Sequence, residues 1–95
     1  MTVKLSPQDN VLFGQYGDED DVIVLCDATD NPFTVVIPDA TTNESAIFRI
    51  TKTDSSANVV TLNPFGNQTL VRETSQEIYG QGDLIILKSD LENWV

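Results

Sequence analysis

The chain has 95 residues, fifteen acidic and five basic, no histidine and one cysteine, for a net charge of −10. That balance argues against binding nucleic acid or an anionic lipid surface, since both need positive charge. It also excludes Ser-His nucleophilic triads and an internal disulfide framework. No apolar run approaches the length of a membrane-spanning helix. A single domain is expected, and one this small buries only roughly 60–65% of the surface its unfolded chain exposes. Association with other chains is therefore an expected source of stability.

Residues 1–21 have weak periodicity and contain Pro7, Gly14 and Gly17. They read as an extended N-terminal arm with an acidic lead-in, without the apolar stretch of a signal peptide. The charge is uneven, because residues 1–45 hold nine of the fifteen acids and only Lys4 among the bases. From Val22 strand patterns take over, so residues 22–95 form the expected β-module. Val22-Ile23-Val24-Leu25-Cys26 is continuously apolar, as in a strand covered on both faces. Phe33-Thr34-Val35-Val36-Ile37 is β-branched and ends at Pro38. Residues 46–52 alternate, with Ala46, Phe48 and Ile50 on one face. Val59-Val60-Thr61-Leu62 stops at Asn63-Pro64, and Thr69-Leu70-Val71-Arg72 reads as a short strand. Glu73 to Tyr79 has room for one helical turn at most. Leu84-Ile85-Ile86-Leu87-Lys88 is the last long run, before Asn93-Trp94-Val95.

Strands spaced about ten residues apart predict an all-β fold, a small antiparallel β-sandwich or barrel-like domain. Two runs, Val22 to Cys26 and Leu84 to Leu87, are apolar at both parities. They need a second covering layer, either the opposite sheet or a neighbouring subunit. Ile23, Leu25, Ile85, Leu87 and Trp94 are accordingly candidates for core or trimer interface.

Four pieces, in order, carry a resemblance. Thr34-Val35-Val36-Ile37-Pro38-Asp39-Ala40 is similar to a "TVxLPDA" strand and turn of tailed-bacteriophage virion proteins. Phe48 to Asp54 resembles the next element, an isoleucine–lysine strand closing on aspartate. Asn58 to Gly66 resembles "NxVTIxPxG", and Gly82 to Trp94 resembles the closing "GxxxxLxSDGxxW". The likeness covers about two thirds of the chain, all from Phe33 on. Two departures stand out: Val71-Arg72 replaces a frequent Asp-Gly, and Leu91 replaces a common glycine before the tryptophan.

The resemblance implies a β-rich unit of phage fibres, head fibres or capsid decoration proteins, commonly homotrimeric. With no shaft in the sequence, the expected function is a trimeric capsid decoration (cement) protein. It would be made in the host cytoplasm and sit on the capsid surface of the virion. The expected partners are itself and the major capsid protein, with neither nucleic acid nor membrane. Val3, Leu5, Val11, Leu12 and Phe13 of the arm are the candidate capsid contacts. The alternatives are a head- or tail-fibre module and a carbohydrate-binding module for host-surface attachment.

No enzyme, cofactor or metal site is expected. The acidic run Asp18-Glu19-Asp20-Asp21 offers oxygen ligands but lacks EF-hand spacing. Glu73 and Glu77 could pair as acid and base, yet nothing builds a sugar cleft around them. Cys26 lies in an apolar strand without a basic neighbour in sequence and reads as core. Asn43-Glu44-Ser45 and Asn67-Gln68-Thr69 match glycosylation acceptors by chance. Arg49 and Lys52 are candidates to pair with acids of a neighbouring chain.

Overall fold

A computed structural model describes residues 2–7, 21–42 and 46–95. Seven strands are present there: β1 (Thr2–Leu5), β2 (Asp21–Cys26), β3 (Phe33–Val36), β4 (Ile47–Lys52), β5 (Val60–Asn63), β6 (Gln76–Ile78) and β7 (Leu84–Lys88). The one helical element among the described residues is a 3-10 turn at Ala40–Thr42. The strands form a four-stranded sheet, ordered β1-β2-β4-β7, and a three-stranded sheet, ordered β3-β5-β6. The chain is thus all-β, in two sheets.

Both sheets are mixed, not antiparallel. The pairs β1–β2, β2–β4 and β3–β5 are parallel, while β4–β7 and β5–β6 are antiparallel. The reason lies in how the chain reverses. Between β2 and β4 it visits the other sheet at β3, and between β3 and β5 it visits the first sheet at β4. Two changes of sheet bring the chain back in its original direction, so the partners run parallel. Regular turn spacing looks the same whether a chain reverses within a sheet or between sheets.

Period-2 alternation sets what is buried. Val22, Val24 and Cys26 of β2, and Phe48 and Ile50 of β4, point inward with no exposure, together with Leu87 of β7. Val35 and Phe33 of β3, Val60 and Leu62 of β5, and Ile78 of β6 meet them from the other sheet in one hydrophobic cluster. Ala46, Phe48 and Ile50 all lie on the buried face, as their alternation predicts.

The N-terminal residues depart from the expected arm. Thr2–Leu5 is a strand of the four-stranded sheet, paired with Ile23–Cys26, and Val3 and Leu5 are buried in the core. Apolar residues at alternate positions on a strand fill a core rather than hang free to grip a partner. The expected strand at 69–72 also differs. Leu70 makes a bridge to Glu73, and Val71 and Arg72 form the two-residue turn between them. Their φ values are 51° and 70°, the left-handed pair that a type I′ turn requires. Leu91 also has a positive φ, 79°. Residues 76–78 are strand rather than helical turn, because pairing with β5 satisfies a backbone too short to sustain a helix alone.

Candidate functional site: an uncovered apolar face and a buried ion pair

Lys52 ends β4 at an inward position, after Phe48 and Ile50, and is fully buried. An ammonium out of water needs all three of its donors met. Lys52 Nζ donates to Asp54 Oδ2 at 2.8 Å, to the Asp54 carbonyl at 3.1 Å and to the Ser56 carbonyl at 2.7 Å. The Asp54 carboxylate in turn accepts the Ala28 N–H at 2.7 Å and the Ser56 N–H at 3.1 Å, and the Ser56 hydroxyl lies against it. Asn58 Nδ2 donates to the Ala28 carbonyl at 2.8 Å. The loop after β2 is thereby tied to the loop after β4. Burial would push the Asp54 carboxyl up. The hydrogen bonds from Lys52, Ser56 and the two backbone N–H groups overcome this and hold it well below the usual carboxylate range.

Every donor of this ammonium is used, so Lys52 is a structural group and does not reach a neighbouring chain. Arg49 also pairs within the chain, with Asp21. Cys26 is the register partner of Lys52 and is fully buried. Burial, and secondarily the Asp54 charge, pushes its thiol up to about 12, which makes it unreactive. No group of metal-ligating side chains occurs among the described residues.

Trp94 is fully buried. Its ring centroid lies 5.0 Å from that of Phe48, and its indole N–H donates to the Pro38 carbonyl at 2.9 Å. The backbone around it is held too. Trp94 N–H donates to Thr69 O and Val71 N–H to Trp94 O, while the Ser89 hydroxyl donates to the Ala40 carbonyl at 2.6 Å.

The candidate interface residues therefore separate. Leu87 and Trp94 are core, and Ile85 packs half-buried against it. Ile23 is 42% exposed and Leu25 is half-buried, both on the outward side of the four-stranded sheet. Val11, Leu12 and Phe13, with Asp18, Glu19 and Asp20, lie outside the described residues.

On that outward side the registers bring Ile23, Arg49 and Ile86 into one row, and Lys4, Leu25, Thr51 and Leu84 into the next. A third row holds Asp21, Ile47 and Lys88. Ile86 and Leu84 are 50% and 53% exposed. The five aliphatic residues of this face make it the candidate site. A cleft of about 440 Å³ continues it at one end, lined by Lys4, Leu5, Ser6, Leu25, Asp27 and Thr53. Sequence parity alone could separate Ile86 from Leu87, but it could not say which parity faced the core. No protein-family model, curated protein or solved structure matches this chain.

Proposed function

We propose that this protein is a structural component of a tailed-phage virion, and specifically a homotrimeric capsid decoration protein that stabilises the head. The observation that carries the reading is the outward face of the four-stranded sheet. Ile23, Leu84 and Ile86 are 42–53% exposed in adjacent rows with half-buried Leu25 and Ile47 beside them, a contiguous apolar patch of the kind that marks an interaction surface. The four-part resemblance supplies the setting. Its two departures support it as well, since Val71, Arg72 and Leu91 hold the left-handed backbone that glycine or Asp-Gly favours. The action would be adhesive: trimers bridge capsid subunits, and the acidic remainder keeps particles dispersed.

Imaging of the intact particle tests this by locating the chain, and light scattering on the purified protein tests the trimer. Density for the chain on the head lattice is the expected result. Density on a tail or fibre would move the assignment to the fibre reading.

A second reading, a carbohydrate-binding module, draws on a different place. An open cleft of about 440 Å³ is lined by Asn63, Pro64, Gly66, Asn67, Gln68 and Thr74, and Phe65 in the same loop is 50% exposed. Amides beside an exposed ring suit a sugar's hydroxyls and its apolar face. Binding on a glycan array, lost in Asn67→Ala, would favour this module.

A further inference from the structure

Charge on the outward face of the four-stranded sheet runs opposite to charge on the rest of the chain. Lys4, Arg49 and Lys88 all stand at outward positions there, three of only five basic residues in a chain of net charge −10. Among the described outward strand positions of this sheet, the one carboxylate is Asp21, engaged with Arg49; Asp27, past the end of β2 in the cleft beside Lys4, accepts from the Thr29 N–H and hydroxyl. The other two bases contribute nothing here, since Lys52 is buried with Asp54 and Arg72 sits in the turn after Leu70. The aliphatic residues are interleaved with these cations. Arg49 lies between Ile23 and Ile86 in its row, and Lys4 lies in the row of Leu25 and Leu84.

We propose that this face docks an acidic, partly apolar surface of a different protein chain. In the decoration reading, on which this last assignment rests, that surface belongs to the head lattice. Charge decides the occupant. A second copy laid face to face would oppose two faces that each carry Lys4, Lys88 and the Arg49–Asp21 pair, a net positive charge on both sides, and like charges opposed at an interface are strongly disfavoured. A partner bearing carboxylates meets Lys4 and Lys88 at the rim, while Arg49 stays engaged with Asp21 and keeps further guanidinium N–H donors for an acceptor on the partner. The aliphatic residues between them lose water on contact and supply the non-directional part of the binding. Strands about 4.8 Å apart and rising about 3.3 Å per residue make the face roughly 15–20 Å on a side, the scale of a functional patch on a small protein. A net charge of −10 favours a basic partner for the chain as a whole, whereas this face favours an acidic one. Trimer contacts then lie elsewhere on the molecule.

The test is zero-length carbodiimide cross-linking on intact particles that carry the protein, with the joined peptides read by mass spectrometry. Lys4 and Lys88 are expected to join Asp or Glu residues of a different chain. The double variant Lys4→Glu with Lys88→Glu is expected to lower particle occupancy at least tenfold, and Ile86→Ser severalfold. Neither should change the light-scattering mass of the free protein. Links from Lys4 and Lys88 to a second copy would overturn the proposal. So would ready acetylation of both lysines on the particle, or unchanged occupancy of the double variant. Links to carboxylates of a tail or fibre chain would leave the docking face standing and remove the decoration reading. A chain seated on the head through other residues would do the reverse.

Discussion

Lys52 and Asp54, two positions apart in sequence, close a 2.8 Å salt bridge with the ammonium wholly removed from water. Such a pair is weak evidence of net stabilisation, because desolvating both charges costs about as much as their attraction returns. Breaking it is another matter. Lys52→Met leaves the Asp54 carboxylate buried with an unmet charge and is expected to destabilise the domain by about 3–5 kcal/mol. Asp54→Asn should cost a similar amount, because an amide oxygen can still accept the Ala28 N–H but the amide NH2 then faces the buried Lys52 ammonium where a carboxylate oxygen accepted it. Urea unfolding followed by tryptophan fluorescence checks this, and equal midpoints for wild type and Lys52→Met would refute the structural role.

The same carboxyl predicts an acid limit. Its folded pKa lies below the unfolded value, so its contribution is present above about pH 4, the ordinary aspartate value, and is lost as pH falls through the folded pKa. Stability should therefore hold near pH 5 and decline below about pH 4. At the other end, Cys26 has a folded pKa raised to about 12. For this group the folded state keeps the proton longer, so stability is full below the ordinary thiol value and falls as pH rises towards 12. Unfolding midpoints across pH should show both declines. In Asp54→Asn the acid decline should shrink, and in Cys26→Ala the alkaline one.

How much of this was legible depends on distance along the chain. The Phe48-Ile50 alternation and the β-branched run at 33–36 set their strands and buried faces locally, and the structure agrees. Pairing direction was not legible, because it depends on which sheet holds the intervening strand. Four residues at Thr2–Leu5 carry too little periodicity to be read as a strand, though Val3 and Leu5 do alternate. Residue type alone makes Lys52 a candidate to pair with acids of a neighbouring chain. The signal for its burial was its parity with Phe48 and Ile50, with Asp54 and Ser56 continuing the same spacing into the turn. The outward apolar face was half legible. Two-sided strands were evident at β2 and β7, but Ile47 and the cations that surround it became a patch only through register.

Backbone strain at the turns gives a prediction of opposite sign. Val71 is β-branched, has φ 51° and is 46% exposed, so it takes a disfavoured conformation with little burial in return. Non-glycine residues held there cost on the order of 1–3 kcal/mol each. Val71→Asn with Arg72→Gly restores the pair that a type I′ turn prefers. Part of the gain is offset by the freedom glycine regains on unfolding, about 0.5–1 kcal/mol. A net rise of about 1–2 kcal/mol is expected, or a Tm higher by about 4–15 °C for a domain of this size. Leu91→Gly should act in the same direction. A lower Tm for either variant would show that these side chains make contacts worth more than the strain.

Trp94 closes the fold, and two variants separate its contributions. Its ring fills the core against Phe48, while its N–H reaches the Pro38 carbonyl, so one residue joins the chain near its last strand to the loop after β3. Trp94→Ala removes both the packing and the hydrogen bond and is expected to cost about 3–5 kcal/mol, the range for emptying a fully buried aromatic site. Trp94→Phe keeps much of the ring volume but leaves the Pro38 carbonyl without its indole donor. That costs about 1–3 kcal/mol where the acceptor stays buried. The two values should therefore differ clearly, with the alanine variant also loosening the Ser89 to Ala40 contact that packs beside it. Fluorescence provides an independent check, because a tryptophan with no solvent exposure emits at short wavelength and shifts red only on unfolding. A water-like emission maximum in the native protein, or a Trp94→Ala variant with an unchanged melting temperature, would show that the ring does not occupy the core in solution.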